Sequence, residues 1–327
     1  MHLATQEQLT SLYPLLNYLA QGHHPAHSQW RNWQITHITG GANNLLYRAT
    51  SSIGDFAIKF TIRDNRDRAG REYEALLALH KANLPLAPKP ILLERYRYAQ
   101  PVVVQTWLNG DVMTAPPTSE TEWQSILKHY AIIHTVKPDR TDVSLSSAFL
   151  NARNIKTGRE IVQQQVAYLP KETQPTSLQD LIHRFERTRF SEWSDAPIAL
   201  CRVDPNYLNF IRRAGLWGSV DWESSGWGDP AFEIADLMTH PAYRDVSSSR
   251  WEWVIDTYCN LTDDPTAAKR IRIYYKIMLV WWVARLARYL YEVPQGLDER
   301  LVSRPVNWQT EIYAKYDHYL SLAETMW

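Results

Sequence analysis

Residues 201–223 read CRVDPNYLNFIRRAGLWGSVDWE, and they place several oxygen-bearing side chains around one predicted hairpin. The apolar residues 198–200 predict a buried strand, and Asp204 and Asn209 follow it, separated by four residues. Residues 210–220 predict a hairpin with its tip at 213–215, and Asp221 comes directly after it. An ordinary turn needs only one or two such residues, so the pattern indicates a site.

A second pair of charged residues lies upstream. Lys59 stands within FAIKF, residues 56–60, which predicts a strand, and a lysine buried there is costly unless a negative group meets it. Thirteen residues later, the predicted helix 67–79 offers Glu72 as that partner. Taken alone, Lys59 could equally lie at a strand edge with its ammonium group in water.

A glycine- and asparagine-rich loop precedes Lys59. Residues 34–38 and 45–50 predict two strands joined by TGGANN, residues 39–44. Gly40, Gly41, Asn43 and Asn44 tolerate positive φ, so backbone N–H groups of this loop could cradle a phosphate. An ordinary hairpin turn would have a similar sequence.

These elements occur in the chain order of a protein kinase. There, a strand lysine held by a helix glutamate grips the phosphates of ATP, and an acid, an asparagine and a second acid position the hydroxyl and Mg²⁺. Mg²⁺ prefers hard oxygens and few carboxylates, so Asn209 and Asp221 form a suitable ligand pair. The order and spacing predict Asp204 as the catalytic acid.

The rest of the chain predicts an α+β architecture in two lobes. Short β patterns dominate residues 33–108, whereas helical patterns dominate after residue 110, at 120–136, 154–168, 177–190, 251–261, 265–291 and 306–323. We expect a small, mostly antiparallel β lobe with one key helix at 1–108, of which 1–32 is a helical extension. A larger, mainly helical lobe should follow at 109–327.

Composition narrows the class of protein. The 327 residues carry 35 Lys plus Arg and 35 Asp plus Glu without basic runs, which argues against nucleic acid or a membrane surface as partner. Only Cys201 and Cys259 are present, as expected in a reducing cytosol. The start lacks a signal-peptide pattern, and the longest apolar run, 277–284, is far shorter than the ~20 residues of a membrane span. We therefore expect a cytoplasmic protein, with no protein partner evident.

The segments CRVDPNYLNFI and SVDWESSGWGDPAFEIADL resemble the aminoglycoside phosphotransferase family and its choline-kinase-like relatives, which have a protein-kinase-like fold. The resemblance implies ATP or GTP and Mg²⁺ as cofactors. It implies Asp204 as the catalytic acid, Asn209 and Asp221 as metal ligands, and Lys59 with Glu72 as the phosphate-gripping pair.

The same resemblance suggests roles for further positions. It places a hinge that contacts adenine at residues 105–107, with Gln105 and Trp107 as its ends. Asp229 and Glu233 match acids of structural character that could hold the Asp221 loop, and His134 matches a packed helix histidine.

One departure from the family pattern stands next to Asp204. The family has His-Gly where this chain has Arg202-Val203. Since Val203 carries a Cβ, we expect ordinary φ and ψ angles there. The departure leaves two hypotheses, an active enzyme with a variant loop or a catalytically weak, pseudokinase-like nucleotide-binding module. The presence of Asp204, Asn209, Asp221 and Lys59 favours the active enzyme.

The sequence leaves the phosphoryl acceptor open. We expect a small-molecule hydroxyl compound, such as an aminoglycoside, a sugar or an amino alcohol, bound near the aromatic helices after residue 236. Those helices also carry acids that could attract a cationic acceptor: Asp256, Asp263, Asp264, Glu292 and Asp298. A protein kinase is disfavoured, because Asp-Phe-Gly and Ala-Pro-Glu segments are missing from the sequence.

Overall fold

The computed structural model describes residues 2–22, 24–39, 44–193, 196–298 and 304–326. Three residues that the sequence assigned to phosphate binding, Gly40, Gly41 and Asn43, lie outside the described residues. Asn44 is described and begins a strand.

An antiparallel sheet of six strands forms the amino-terminal part, in the spatial order β1-β2-β3-β4-β6-β5. Its strands are β1 His27–Trp30, β2 Trp33–Ile38, β3 Asn44–Ser51, β4 Gly54–Thr61, β5 Pro90–Glu94 and β6 Val102–Thr106. Strand β4 is central, so its residues 56–61 are buried, and Lys59 pairs with Leu46 on one side and Val103 on the other. Lys59 is therefore a buried lysine rather than an edge residue.

Two helices flank this sheet. Helix α1, Gln6–Leu19, begins at a capping box between Thr5 and Gln8 and packs its leucines on the sheet. Helix α2, Arg68–Lys81, follows β4 and carries Glu72 on its buried face. It ends where Asn83 adopts a φ of +55°, a conformation that asparagine tolerates well.

Helices form most of the remaining chain. They are α3 Glu120–Ile133, α4 Ile155–Ala167, α5 Thr176–Arg187, α6 Pro230–Thr239, α7 Ser248–Leu261, α8 Ala267–Glu292 and α9 Trp308–Glu324. The long helix α8 is the centre of the largest hydrophobic cluster and packs against α4, α6 and α9. None of the described helices is long and apolar enough to cross a bilayer.

Short strands between the helices hold the segment around Asp204. They are β7 Asp111–Val112, β8 Ala199–Cys201, β9 Phe210–Arg212, β10 Gly218–Ser219 and β11 Gly226–Gly228. Strand β8 pairs with β11, and β9 pairs with β10 as the predicted hairpin. These pairings bring the two ends of residues 201–223 back to one place.

The α+β class, with a small antiparallel part and a larger helical part, is confirmed. The patterns predicted β2, β3, β4, α2 and six of the later helices with shifts of a few residues at their ends. They did not predict β1, which extends the sheet at its edge, or the buried helix α6.

Candidate active site

Lys59 lies among three carboxylates in the cleft between the sheet and the helical part. Its Nζ donates to Glu72 Oε2 at 2.8 Å, forms an ion pair with Asp221, and lies 3.3 Å from Glu223 Oε2. One oxygen of each acid lies within 4.8 Å of the other two. The predicted contact between Lys59 and Glu72 is confirmed, and Asp221 joins it.

The charges of this cluster stabilise one another. Burial alone would lower the pKa of Lys59, but Asp221, Glu72 and Glu223 raise it well above its usual value. Burial opposes ionisation of Glu223 too, yet Lys59 and Arg68 lower its pKa to about 2. Lys59 and Glu223 are therefore both charged near neutral pH.

Glu223 connects the sheet and helix α2 to the segment after Asp221. It accepts a hydrogen bond from Asn44 Nδ2 at 2.8 Å and pairs with Arg68. Asn44, which the loop sequence predicts as a phosphate-binding residue, thus has its side-chain amide bonded to Glu223. The sequence pattern alone predicts no role for Glu223, although the motif Asp-Trp-Glu contains it, because its partners Arg68 and Asn44 lie 155 and 179 residues away along the chain.

The two expected metal ligands flank the hairpin. Phe210 pairs with Ser219, and the N–H of Val220 donates to the carbonyl oxygen of Asn209 at 2.9 Å. The Asp221 side chain is 30% exposed toward the cleft. In the described part of the chain, the Asn209 side chain has no hydrogen-bond partner, whereas one oxygen of Asp221 is paired with Lys59.

Asp204 lies in the same cleft, and its side chain is 43% exposed. The surrounding protein limits the access of water to this carboxyl group, which raises its pKa. The positive charge of Arg202 acts in the opposite direction. The Tyr243 hydroxyl fixes the loop directly after Asp204, because it donates a hydrogen bond to the carbonyl oxygen of Pro205 at 2.8 Å.

The expectation of ordinary backbone angles at Val203 is wrong. Val203 has a φ of +61° and Asp204 a φ of +58°, and for a β-branched residue this region is strained. Glu233 stabilises this strained conformation, because its Oε1 accepts hydrogen bonds from the backbone N–H groups of Arg202 and Val203, both at 2.7 Å. His134 Nε2 donates to the other Glu233 oxygen at 2.7 Å.

Asp229 and Glu233, the two acids shared with the family pattern, therefore stabilise other segments than the expected loop around Asp221. Glu233 fixes the Asp204 loop rather than the Asp221 loop. Asp229 caps α6 through the N–H of Ala231 and pairs with Arg270. His134 is a packed, hydrogen-bonded histidine, as expected.

Arg202, which replaces the family histidine, is fully buried. Its guanidinium lies 4.9 Å from the centre of the Phe210 ring, and its Nη1 donates to the carbonyl of Val220 at 3.3 Å. Arg202 therefore links the Asp204 loop to the residue before Asp221.

The predicted hinge is less open than the resemblance implies. The N–H of Trp107 already donates to the carbonyl of Asp55 at 2.8 Å, and that of Thr106 to Lys89 at 2.9 Å. Gln105 is buried within β6. Among the described residues, the N–H of Leu108, the next residue along the chain, has no hydrogen-bond acceptor.

Replacing Lys59 by methionine should lower the free energy of unfolding by about 3–5 kcal/mol, because it leaves buried carboxylates without their cation. Urea denaturation measures this loss. Lys81→Met is the matched control, since Lys81 pairs with Asp142 at the surface, where such a pair contributes about 1 kcal/mol or less. Equal losses in the two variants would contradict the role of Lys59 in the carboxylate cluster.

Comparison with known proteins assigns the family. The model of the phosphotransferase enzyme family (APH) matches residues 34–269. The chain belongs to this family. It is therefore a small-molecule phosphotransferase.

Solved structures share the fold at low sequence identity. A choline/ethanolamine kinase family protein from Mesorhizobium loti is 18% identical with a TM-score of 0.63, over 98% of this chain and 92% of that one. A Plasmodium vivax ethanolamine kinase is 16% identical with a TM-score of 0.60, over 96% and 89%. A spectinomycin phosphotransferase in complex with ADP and spectinomycin is 14% identical with a TM-score of 0.59, over 96% and 97%. No curated protein sequence matches the chain.

Proposed function

We propose that this phosphotransferase moves the γ-phosphoryl group of ATP or GTP, with Mg²⁺, to a hydroxyl group of a small molecule. One observation carries the proposal: Lys59 binds Glu72 and Asp221 in the cleft that also holds Asp204. Catalysis would rest on positioning and charge neutralisation, as in other phosphoryl transfers. We also propose residues 1–108 and 109–327 as the two lobes around this cleft.

Each side chain has a defined task in the proposed reaction. Asp204 accepts the hydroxyl proton while the acceptor oxygen bonds to the γ-phosphorus and the bond to the β–γ bridging oxygen breaks, its electron pair leaving on the nucleoside diphosphate. Lys59 holds the phosphates. Asn209 and Asp221 fit Mg²⁺, since they offer an amide and a carboxylate oxygen, and Mg²⁺ when bound would neutralise phosphate charge.

The acceptor region favours a compound that is not strongly cationic. Three of the acids that the sequence suggested are already in ion pairs: Asp264 with Arg270 at 2.6 Å, Glu292 with Arg288 at 2.7 Å, and Asp298 with Arg304. We propose Trp282, a partly exposed residue stacked on Tyr319 with 5.6 Å between ring centres, as the aromatic side chain that packs against a sugar-like acceptor.

Thermal unfolding with Mg·ATP, Mg·GTP and Mg²⁺ alone tests the nucleotide site. A ligand that binds only the folded chain at about 100 times its Kd stabilises it by about 2.7 kcal/mol, which raises the Tm by several degrees. Asp221→Ala should abolish this shift because it removes the only carboxylate of the proposed Asn209–Asp221 metal pair. Asp142→Ala, at an acid that is 76% exposed, should keep it.

The absence of a shift with either nucleotide would refute the proposed cofactor. If the shift is seen, nucleoside diphosphate release in the presence of choline, ethanolamine, spectinomycin and neutral sugars identifies the acceptor class. We expect the neutral sugars to give the faster release.

A further inference from the structure

His240 follows the last residue of α6 and lies beside the Asp204 carboxylate. Its Nε2 is 3.6 Å from Asp204 Oδ1, and its side chain is 16% exposed. Its Nδ1 accepts the backbone N–H of Ala242 at 3.2 Å. A neutral imidazole carries one proton, which must then be on Nε2, the nitrogen that faces Asp204.

The surroundings of His240 keep this ring fixed and neutral. Trp282 and Tyr243 contact it edge-on, with ring centres 5.9 and 6.4 Å away. Burial, together with the charges of Arg202 and Lys315, lowers the pKa of His240 to about 3. His240 is thus a constant N–H donor near neutral pH rather than a group that exchanges protons with Asp204.

The two oxygens of Asp204 have different surroundings. Oδ1 faces His240 Nε2 and also accepts the N–H of Asn206 at 3.4 Å. Within the described ranges, Oδ2 has no donor at hydrogen-bonding distance. The 3.6 Å separation exceeds a hydrogen bond, but contacts of this kind tighten when the reacting complex forms.

We propose that His240 is a positioning residue, which donates its Nε2–H to Oδ1 of Asp204 and thereby directs Oδ2 to the acceptor hydroxyl. This assignment rests on the proposed function, in which Asp204 takes the hydroxyl proton. It goes further by naming which oxygen takes that proton and which residue holds the other.

The tautomer of His240 tests the contact without any phosphoryl transfer. In protein labelled with ¹⁵N-histidine, with the signal assigned by its loss in His240→Gln, we expect the shifts of a neutral Nε2–H ring at pH 7. The Nε2 shift should change in Asp204→Asn and stay constant in Asp142→Asn. A charged ring, an Nδ1–H ring, or an Nε2 shift unaffected by Asp204→Asn would overturn the proposal.

Steady-state kinetics test whether the contact between His240 and Asp204 contributes to phosphoryl transfer. His240→Phe keeps the ring packing but removes the N–H, so kcat should fall about 10- to 100-fold while the KM for the nucleotide stays unchanged. His240→Gln, whose side-chain amide can place an N–H near Nε2, should recover most of that loss. Equal losses in both variants, or an unchanged kcat in His240→Phe, would overturn the proposal. If the unsubstituted protein transfers phosphate to no acceptor, the proposed function fails instead, and the nitrogen shifts still decide the His240 contact.

Discussion

Replacing Asp204 by asparagine should reduce kcat for phosphoryl transfer about a thousandfold, since an amide cannot accept the hydroxyl proton. The substitution preserves the loop, because Asp204 has a φ of +58° and asparagine tolerates positive φ at least as well as aspartate. Nucleoside diphosphate release measures kcat, and the nucleotide-induced Tm shift shows that the binding site remains intact.

Asp245→Asn is the matched control for this prediction. Asp245 is an acid with a side chain that is 88% exposed, on the segment after His240. We expect kcat to stay unchanged in that variant. If Asp204→Asn retained more than a tenth of the original kcat, Asp204 would not be the group that takes the proton.

The parts of the site that the sequence predicted depend on short-range patterns. An apolar strand followed by a helix places Lys59 next to Glu72, thirteen residues later in the chain, because a strand followed by a packed helix leaves few alternatives. A hairpin returns the chain on itself, so the positions flanking residues 210–219 had to meet. Asn209 and Asp221 could therefore be brought together from sequence alone.

The parts that the sequence missed depend on contacts between distant residues. Glu223 meets Asn44 across 179 positions, and His240 meets Asp204 only because α6 ends beside the loop. The backbone conformation of Val203 is not predictable from the sequence for the same reason. Its positive φ is maintained by a carboxylate 30 residues later, and no property of Val203 itself reveals that.

Replacing Glu233 by alanine should lower both stability and activity. Two buried N–H groups and His134 would lose their acceptor, so we expect the free energy of unfolding to fall by about 3–5 kcal/mol. The strained angles at Val203 would relax, and a displacement of Asp204 of about 1 Å can reduce kcat about 100-fold. Urea denaturation and nucleoside diphosphate release measure the two effects.

A second substitution separates loss of the loop geometry from loss of the fold. Val203→Gly, combined with Glu233→Ala, removes the steric penalty of a positive φ, so part of the lost kcat should return. Stability should not return, because glycine also removes the packing of Val203 against Ala148 and Cys201. Recovery of kcat without recovery of stability would show that Glu233 acts on catalysis through the backbone of Val203. If kcat in Glu233→Ala stayed within tenfold of the original, this role would be contradicted. The loop would then keep Asp204 in position without the hydrogen bonds of Glu233.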